Sequence, residues 1–172
     1  METPHIEHAM RLAIEAAYRF EGSTAPNPPV GAVALNAAGE VLAIAAHERA
    51  GTAHAEIVLL DQLTKNQQLQ EFDTLAVTLE PCNHRGRTGP CTEALINARN
   101  NGAPLRRIIY GCQDPNPRVQ GAGAAALSTA GIAVSSGVLK RECQQLIRQF
   151  SHWVVSHRPW VTLKKALNEE GE

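Results

Sequence analysis

Two cysteines in the middle of the chain, Cys82 and Cys91, constrain the fold more than any other feature. An apolar, β-prone run from Leu75 to Leu79 precedes the first of them, so a strand should deliver the Cys82 thiol to one end of a sheet. Pro90 suits the first position of a helix, and it places Cys91 at a helix start. Because the loop between the cysteines is short, we expect the two thiols to converge.

A histidine upstream completes a set of metal ligands. His54 opens another helical segment, and one imidazole with two thiolates supplies three tetrahedral zinc ligands while a fourth position stays open for water. Glu56 would stand beside that position, where a carboxylate can carry protons to and from the water. The partial positive charge of the helix N-terminus at His54 would favour thiolates and hydroxide nearby.

The order His-x-Glu, Pro-Cys, Cys resembles the zinc deaminase signature His-x-Glu…Pro-Cys-x-x-Cys, with a longer loop between the cysteines. Two alternatives stand beside this interpretation. The thiols could be ordinary buried cysteines with a satisfied helix-start histidine, or the group could be a structural zinc site. Structural sites usually take four protein ligands, so three ligands favour an open, catalytic site.

Composition predicts an ordinary globular domain. The chain has 172 residues, a formal net charge of -1, 19% charged residues and 44% apolar residues, enough for one core. It lacks the basic surplus of a nucleic-acid binder, so we expect no nucleic-acid partner. No apolar run has membrane-spanning length and the amino terminus lacks signal-peptide features, so we expect no membrane contact and a cytoplasmic location. Cys112 and Cys143 should be reduced, buried thiols.

Hydrophobic periodicity predicts alternating helices and strands, which is an α/β pattern. The polar stretch 64–72 should be a loop or a frayed end, and 160–163 is strand-like. The predicted helices cover 6–20, 54–63, 92–100, 121–131 and a long segment from 140 to about 155, and the predicted strands cover 30–35, 41–46, 74–79, 105–111 and 132–135.

Polar residues follow or precede several of these strands. Asn27 stands in a proline-rich turn before the first strand, and His47 ends the second. Asp114 and Asn116 lie in a rigid Gln-Asp-Pro-Asn-Pro loop after the 105–111 strand. Ligands of open α/β sheets gather at strand ends, which makes these side chains substrate candidates. Turn formation is the simpler alternative for Asn27, Asp114 and Asn116.

These residues together resemble the deaminase domain of the bifunctional riboflavin-biosynthesis deaminase-reductases, over roughly 10–166. The resemblance implies a three-layer α/β/α cytidine-deaminase-like fold with a central mixed sheet of about five strands. It also implies zinc-dependent hydrolytic deamination of 2,5-diamino-6-(5-phospho-ribosylamino)pyrimidin-4(3H)-one to the corresponding uracil. The matching motifs are Pro26-Asn27-Pro28, Val30-Gly31-Ala32-Val33, His47, His54-Ala55-Glu56, Thr78-Leu79-Glu80-Pro81-Cys82, His84, Gly86-Arg87-Thr88, Pro90-Cys91 and Gln113-Asp114-Pro115-Asn116-Pro117.

The resemblance carries roles onto individual residues. In relatives the Arg87 position is often lysine, and the planar arginine fork would grip a ribose phosphate with two hydrogen bonds. Asn83 occupies a place that serine often holds. By this resemblance the zinc ligands are His54, Cys82 and Cys91, the proton carrier is Glu56, and the substrate contacts are Asn27, His47, His84, Arg87, Asp114 and Asn116.

The family also continues into a reductase domain. We expect a deaminase domain over 1–157 and a tail over 158–172 that resembles the start of the reductase, the rest of which is absent. A reductase, covalent or separate, is therefore an expected partner, and the apolar helix from Lys140 is consistent with a homo-oligomer. The alternative functions are deamination of another base, or of a related pyrimidine or pterin-like ring, and non-catalytic nucleotide or protein binding by a zinc-stabilised pseudo-enzyme.

Overall fold

The computed structural model describes residues 3–84, 89–117 and 120–166, and within these ranges one sheet organises the chain. A short 3-10 turn at Leu69–Glu71 leads into its third strand. The strands are β1 Gly31–Leu35, β2 Val41–Ala46, β3 Thr74–Leu79, β4 Arg107–Cys112 and β5 Ala133–Ser136. The helices are α1 Thr3–Tyr18, α2 Ala55–Lys65, α3 Cys91–Asn100, α4 Ala122–Thr129, α5 Lys140–Leu146 and α6 Arg148–Ser156.

The sheet is mixed, with strand order β2-β1-β3-β4-β5. Strand β1 is antiparallel to both of its neighbours, whereas β3, β4 and β5 are parallel to one another. The β1–β2 turn is stabilised by Asn36, whose side-chain oxygen accepts the backbone N–H groups of Ala38 and Glu40. As a result, the start of β1 and the ends of β2, β3 and β4 lie at the same edge of the sheet.

Helices cover both faces of the sheet and form three layers. Helices α1 and α5 pack on one face, where Met10, Ile109 and Leu146 belong to the same buried hydrophobic cluster. Helices α2, α3 and α4 pack on the other face. All six residues of β3 are buried, as expected for a central strand covered on both sides. The predicted three-layer fold with five strands is therefore confirmed.

Several elements differ from the predictions: α1 covers Thr3–Tyr18 instead of 6–20, and β4 covers Arg107–Cys112 instead of 105–111. The helix expected from residue 140 to about 155 is interrupted at Ile147, whose φ of -98° and ψ of 15° leave the helical range, so α5 and α6 are separate. Ile147 is buried, and its apolar character had concealed the break. Helix α2 runs to Lys65, which pairs with Asp61 at 2.6 Å, so the expected loop begins later. Residues 160–163 form no strand, because alternating apolar residues need a neighbouring strand to pair with.

The described part of the chain contains no helix of the length and apolarity that crossing a bilayer would require. The two cysteines outside the central stretch are both buried. Burial raises the pKa of Cys112 and of Cys143 to about 12, so both thiols stay protonated at neutral pH.

Gly31 lets α1 pack closely against β1, because glycine has no side chain there. A Cβ at this position would sit 1.9 Å from the carbonyl oxygen of Ala13, so Gly31→Ala must push α1 away from β1. We expect the free energy of unfolding to fall by about 3 kcal/mol, measured by urea denaturation. Gly89→Ala is the matched control, because a Cβ there meets nothing within 4 Å. Equal stability of the two variants would contradict this packing.

Candidate active site

The site lies at the edge where four chain segments meet. Asn27 precedes β1, His47 follows β2 directly, Cys82 follows β3 and Asp114 follows β4. The antiparallel pairing of β1 with β3, with Ala32 opposite Val77, brings the first of these segments beside the third. The parallel pairing of β3 with β4 adds the fourth.

Three metal-binding side chains converge at this edge. The Nδ1 atom of His54 and the Sγ atoms of Cys82 and Cys91 lie within 4.8 Å of one another. Nδ1 is 3.3 Å from Sγ of Cys91 and 3.6 Å from Sγ of Cys82. Two ligands of one tetrahedral zinc, with zinc-nitrogen and zinc-sulfur bonds of ordinary length, stand about 3.6 Å apart. The arrangement and its soft donor atoms therefore fit Zn²⁺, as the sequence predicted.

Two helices direct their N-termini at this group. His54 is the N-cap of α2, and Cys91 is the first residue of α3 with Pro90 as its N-cap. Pro90 thus stands one position earlier than expected, although Cys91 still begins the helix. The backbone N–H of Cys91 donates to Sγ of Cys82 at 3.4 Å. Unpaired N–H groups and the helix dipole both stabilise negative sulfur at this point.

The thiols differ in their acidity. A hydrogen bond from the Cys91 thiol, together with one from His54, lowers the pKa of Cys82 to about 4. The Cys91 thiol donates its proton in the hydrogen bond to Cys82, and this bond, together with burial, raises the pKa of Cys91. The hydrogen bond with Cys82 raises the pKa of His54. The surroundings of Cys82 therefore favour its thiolate form, which is the form that binds a metal ion.

Glu56 lies beside the cluster on the first turn of α2. Its side chain is buried, with 4% of its surface exposed, and it contributes to the lining of a cavity of about 430 Å³. Burial raises the pKa of Glu56, because a carboxylate loses hydration when it leaves water. A carboxyl group with a raised pKa is suited to taking up and returning a proton.

His47 and Asn27 form a hydrogen-bonded pair that lines the cavity, with the His47 ring centroid 5.4 Å from that of His54. Nδ1 of His47 is 3.0 Å from the carbonyl oxygen of Ala53, which can only accept, so Nδ1 carries the proton. Nε2 of His47 then accepts from Nδ2 of Asn27 at 3.3 Å. Burial lowers the pKa of His47 and keeps the ring neutral. This assignment leaves the side-chain oxygen of Asn27 available to the cavity.

Of the other predicted substrate contacts, some line the cavity and some do not. His84, which is exposed, and Asp114 line the cavity. Burial raises the pKa of Asp114, whose Oδ1 accepts the backbone N–H of Asn116 at 2.8 Å. Asn116 does not line the cavity as the described residues define it. Arg87 lies outside the described residues, so its phosphate contact stays a prediction.

Two side chains near the cavity were not predicted to serve the site. Glu80 lines the cavity and is buried, with 5% of its surface exposed. A carboxylate directly after an apolar strand is the signal that could have drawn attention to it. The side-chain oxygen of Asn83 is already engaged, because it accepts a hydrogen bond from the hydroxyl of Thr92 at 2.7 Å.

Comparison with known proteins agrees with this geometry. The family described as "Cytidine and deoxycytidylate deaminase zinc-binding region" matches residues 3–112. The chain belongs to this family. Its His-x-Glu, Pro-Cys and Cys motifs, which carry all three metal-binding side chains, fall inside the matched region.

Full-length relatives are longer. The chain is 39% identical over 163 residues to the riboflavin biosynthesis protein RibD of Aquifex aeolicus, covering 95% of this chain and 43% of the relative. A structure of RibD from Acinetobacter baumannii has 37% identity and a TM-score of 0.82, covering 92% of this chain and 42% of that one. The chain thus spans less than half the length of these relatives.

A third comparison carries a more detailed title. The Thermotoga maritima diaminohydroxyphosphoribosylaminopyrimidine deaminase/5-amino-6-(5-phosphoribosylamino)uracil reductase has 36% identity and a TM-score of 0.82, and the match covers 91% of this chain and 43% of that one. A guanine deaminase of Nitrosomonas europaea, at 19% identity and a TM-score of 0.63, shares the fold.

Removal of one ligand tests the metal site. Cys82→Ala should weaken zinc binding by more than about a hundredfold, since even the loss of an outer-shell partner costs about 10- to 100-fold. Zinc per chain, measured by elemental analysis after dialysis against a chelator, should fall close to zero. Cys112→Ala is the control, because Cys112 is buried outside the cluster and donates to the carbonyl of Thr78. Full zinc occupancy in Cys82→Ala would show that the ligand is misassigned.

Proposed function

We propose that the chain is a zinc-dependent aminohydrolase that deaminates 2,5-diamino-6-(5-phospho-ribosylamino)pyrimidin-4(3H)-one to 5-amino-6-(5-phospho-ribosylamino)uracil. The observation that carries this proposal is the convergence of one imidazole, two thiols and a buried carboxylate at one cavity. The names of the relatives support the choice of substrate, since two are riboflavin-biosynthesis proteins and one is titled as this deaminase.

His54, Cys82 and Cys91 would hold the zinc. When bound there, zinc supplies a Lewis acid that lowers the pKa of a water molecule to about 7. The remaining steps fall to the protein. Glu56 accepts the proton of the attacking water as its oxygen bonds to the ring carbon that carries the 2-amino group.

The same carboxyl then works in the opposite direction. Glu56 gives its proton to a ring nitrogen, then takes the second proton from the newly added hydroxyl and passes it to the departing amine, so the carbon-nitrogen bond breaks and ammonia leaves. A carbonyl remains on the ring. Burial suits Glu56 to both roles, because a raised pKa brings its protonated and ionised forms closer in energy at neutral pH.

Residues on the cavity walls would orient the ring and the ribose phosphate. The amide of Asn27, fixed by the neutral ring of His47, offers an oxygen that can accept a hydrogen bond from an amino group or ring N–H. Asp114 and His84 line the side nearer to the β4 loop and suit the ribose hydroxyls. We keep Arg87 as the predicted partner of the phosphate and Asn116 as a predicted contact.

The wider organisation is also a proposal. Residues 1–157 would form the deaminase domain and 158–172 the beginning of a connection to a reductase. The deaminase/reductase title of the Thermotoga maritima relative, of which this chain matches 43%, supports a reductase as a covalent or separate partner. A cytoplasmic location and a homo-oligomer stay predictions.

Replacing the proton carrier tests the chemistry. Glu56→Gln keeps the size of the side chain but cannot accept the proton, so turnover should fall by about 10²- to 10⁴-fold while zinc content is retained. Ammonia release and elemental analysis on the same preparation measure both. Glu71→Gln, the same change at an exposed residue, should have normal turnover. Near-native turnover of Glu56→Gln would refute the assignment.

The substrate is tested by offering the zinc-loaded chain four compounds separately: the diaminopyrimidinone ribotide, cytidine, guanine and a tRNA. We expect ammonia from the ribotide alone. Release from another compound would keep the zinc mechanism but reject the riboflavin-pathway substrate. If the zinc-loaded chain releases no ammonia from any of the four compounds, the result would favour a non-catalytic binding protein.

A further inference from the structure

The carboxylate of Glu80 caps a helix that belongs to a different part of the chain. One oxygen accepts the backbone N–H of Gly121 at 3.0 Å, and the other accepts those of Gly123 and Ala124 at 3.2 and 3.3 Å. The residue at the N-cap of α4 is Gly121 in the left-handed conformation, with no side chain to cap the helix. Glu80, the residue directly after β3, therefore supplies the capping acceptor that α4 lacks locally.

The capped helix is pressed against the segment that carries a metal-binding cysteine. A Cβ at Gly123 would lie 2.0 Å from the carbonyl oxygen of Pro81, so α4 can approach this closely only with glycine there. Pro81 lies between Glu80 and Cys82. The first turn of α4 is thus held on the stretch Glu80-Pro81-Cys82 by a carboxylate and by direct backbone packing.

Hydrogen bonds connect this capped turn to Asp114. Gln120, the chain neighbour of Gly121, donates its backbone N–H to the carbonyl of Asn116 at 3.1 Å. The N–H of Asn116 in turn donates to the Asp114 carboxylate. Asp114 and Glu80 both line the cavity. A carboxylate that directly follows β3 therefore holds the start of α4, and Gln120 connects that start to Asp114 through Asn116.

We infer that Glu80 is a positioning residue for substrate binding, because it ties the loop that carries Asp114 to the strand end that carries Cys82. This inference rests on the proposed function. Glu80 acts through α4 and its preceding loop, so its loss should alter the substrate wall of the cavity and leave the metal cluster and Glu56 in place. The expected consequence is a higher KM with zinc binding and kcat largely retained.

Glu80→Gln is the sharpest variant. A glutamine has one acceptor oxygen, so its amide nitrogen must face a backbone N–H at one side of the cap, and a charge-assisted bond is lost. We expect zinc content to be unchanged, KM for the ribotide to rise about 10- to 100-fold and kcat to stay within about twofold. A purely structural cap would instead lower stability and leave the KM of the folded protein unchanged.

Asp73→Asn is the matched control. Asp73 is also buried, with 4% of its surface exposed, but it stands at the opposite end of β3 and pairs with Arg106 at 2.6 Å. The same carboxylate-to-amide change there should reduce stability without raising KM. An equal rise of KM in both variants would overturn the inference, because it would reflect a general loss of order.

Amide hydrogen exchange of the zinc-loaded chain gives a readout that needs no activity. In the native chain the N–H groups of Gly121, Gly123 and Ala124 should be protected, and Glu80→Gln should speed their exchange, with that of Asn116, by about tenfold or more. The N–H groups of α2 and α3 should be unaffected. Fast exchange at these positions in the native chain would overturn the inference even if no variant folded.

The two proposals fail in different ways. If the native chain releases no ammonia from the ribotide, the proposed function is wrong, while the exchange experiment still decides whether Glu80 orders the loop. If the native chain is active and Glu80→Gln binds the ribotide with native KM, the positioning role is wrong and the proposed function stands.

Gly123→Ala, which disrupts the same contact from the helix side, should reproduce the rise in KM.

Discussion

The site depends on one constraint, the reversal of direction between β1 and β3 within a sheet that is parallel from β3 onward. Because β1 runs against β3, its beginning lies beside the end of β3, and the turn into β2 brings the end of that strand to the same edge. The parallel pairing of β3 with β4 adds a further loop there. A fully parallel sheet would have placed the segment before β1 at the far edge, away from the metal-binding side chains.

Helix placement supplies the electrostatic complement to this geometry. Helices α2 and α3 begin at the cluster, so their N-terminal N–H groups face the sulfur atoms. These N–H groups and the two helix dipoles stabilise negative sulfur at the cluster. Burial acts on Glu56 in the opposite direction to the helix N-termini, because it disfavours the negative charge and so raises the pKa of that carboxyl. The groups that stabilise negative charge are thus separate from the buried carboxyl of Glu56.

Local pattern predicted most of the elements and the chemistry but little of the long-range structure. Strands 41–46 and 74–79 were predicted with the bounds observed, because apolar β-prone runs between turn residues leave few alternatives. The metal-binding residues and Glu56 follow from motifs in which each residue type has a chemical reason. The break at Ile147 was missed since an apolar residue continues the periodicity on both sides of it.

The contacts that could not be predicted join segments that are far apart in the sequence. The hydrogen bond between Asn27 and His47 joins the segment before β1 to the segment after β2, and nothing in either local sequence specifies the partner. The same holds for Glu80, which caps a helix more than forty positions away. Sheet order also cannot be read from periodicity, because β1 could pair with several strands and keep the same buried face.

The proposed reaction needs a zinc ion held by one imidazole and two thiolates with one position open, and zinc K-edge X-ray absorption of the purified zinc-loaded chain can detect this arrangement. We expect two sulfur neighbours at about 2.3 Å and two lighter nitrogen or oxygen neighbours at about 2.0–2.1 Å. One of the lighter neighbours should change on adding a substrate analogue. A shell of four protein ligands that ignores the analogue, or one without sulfur, would contradict it.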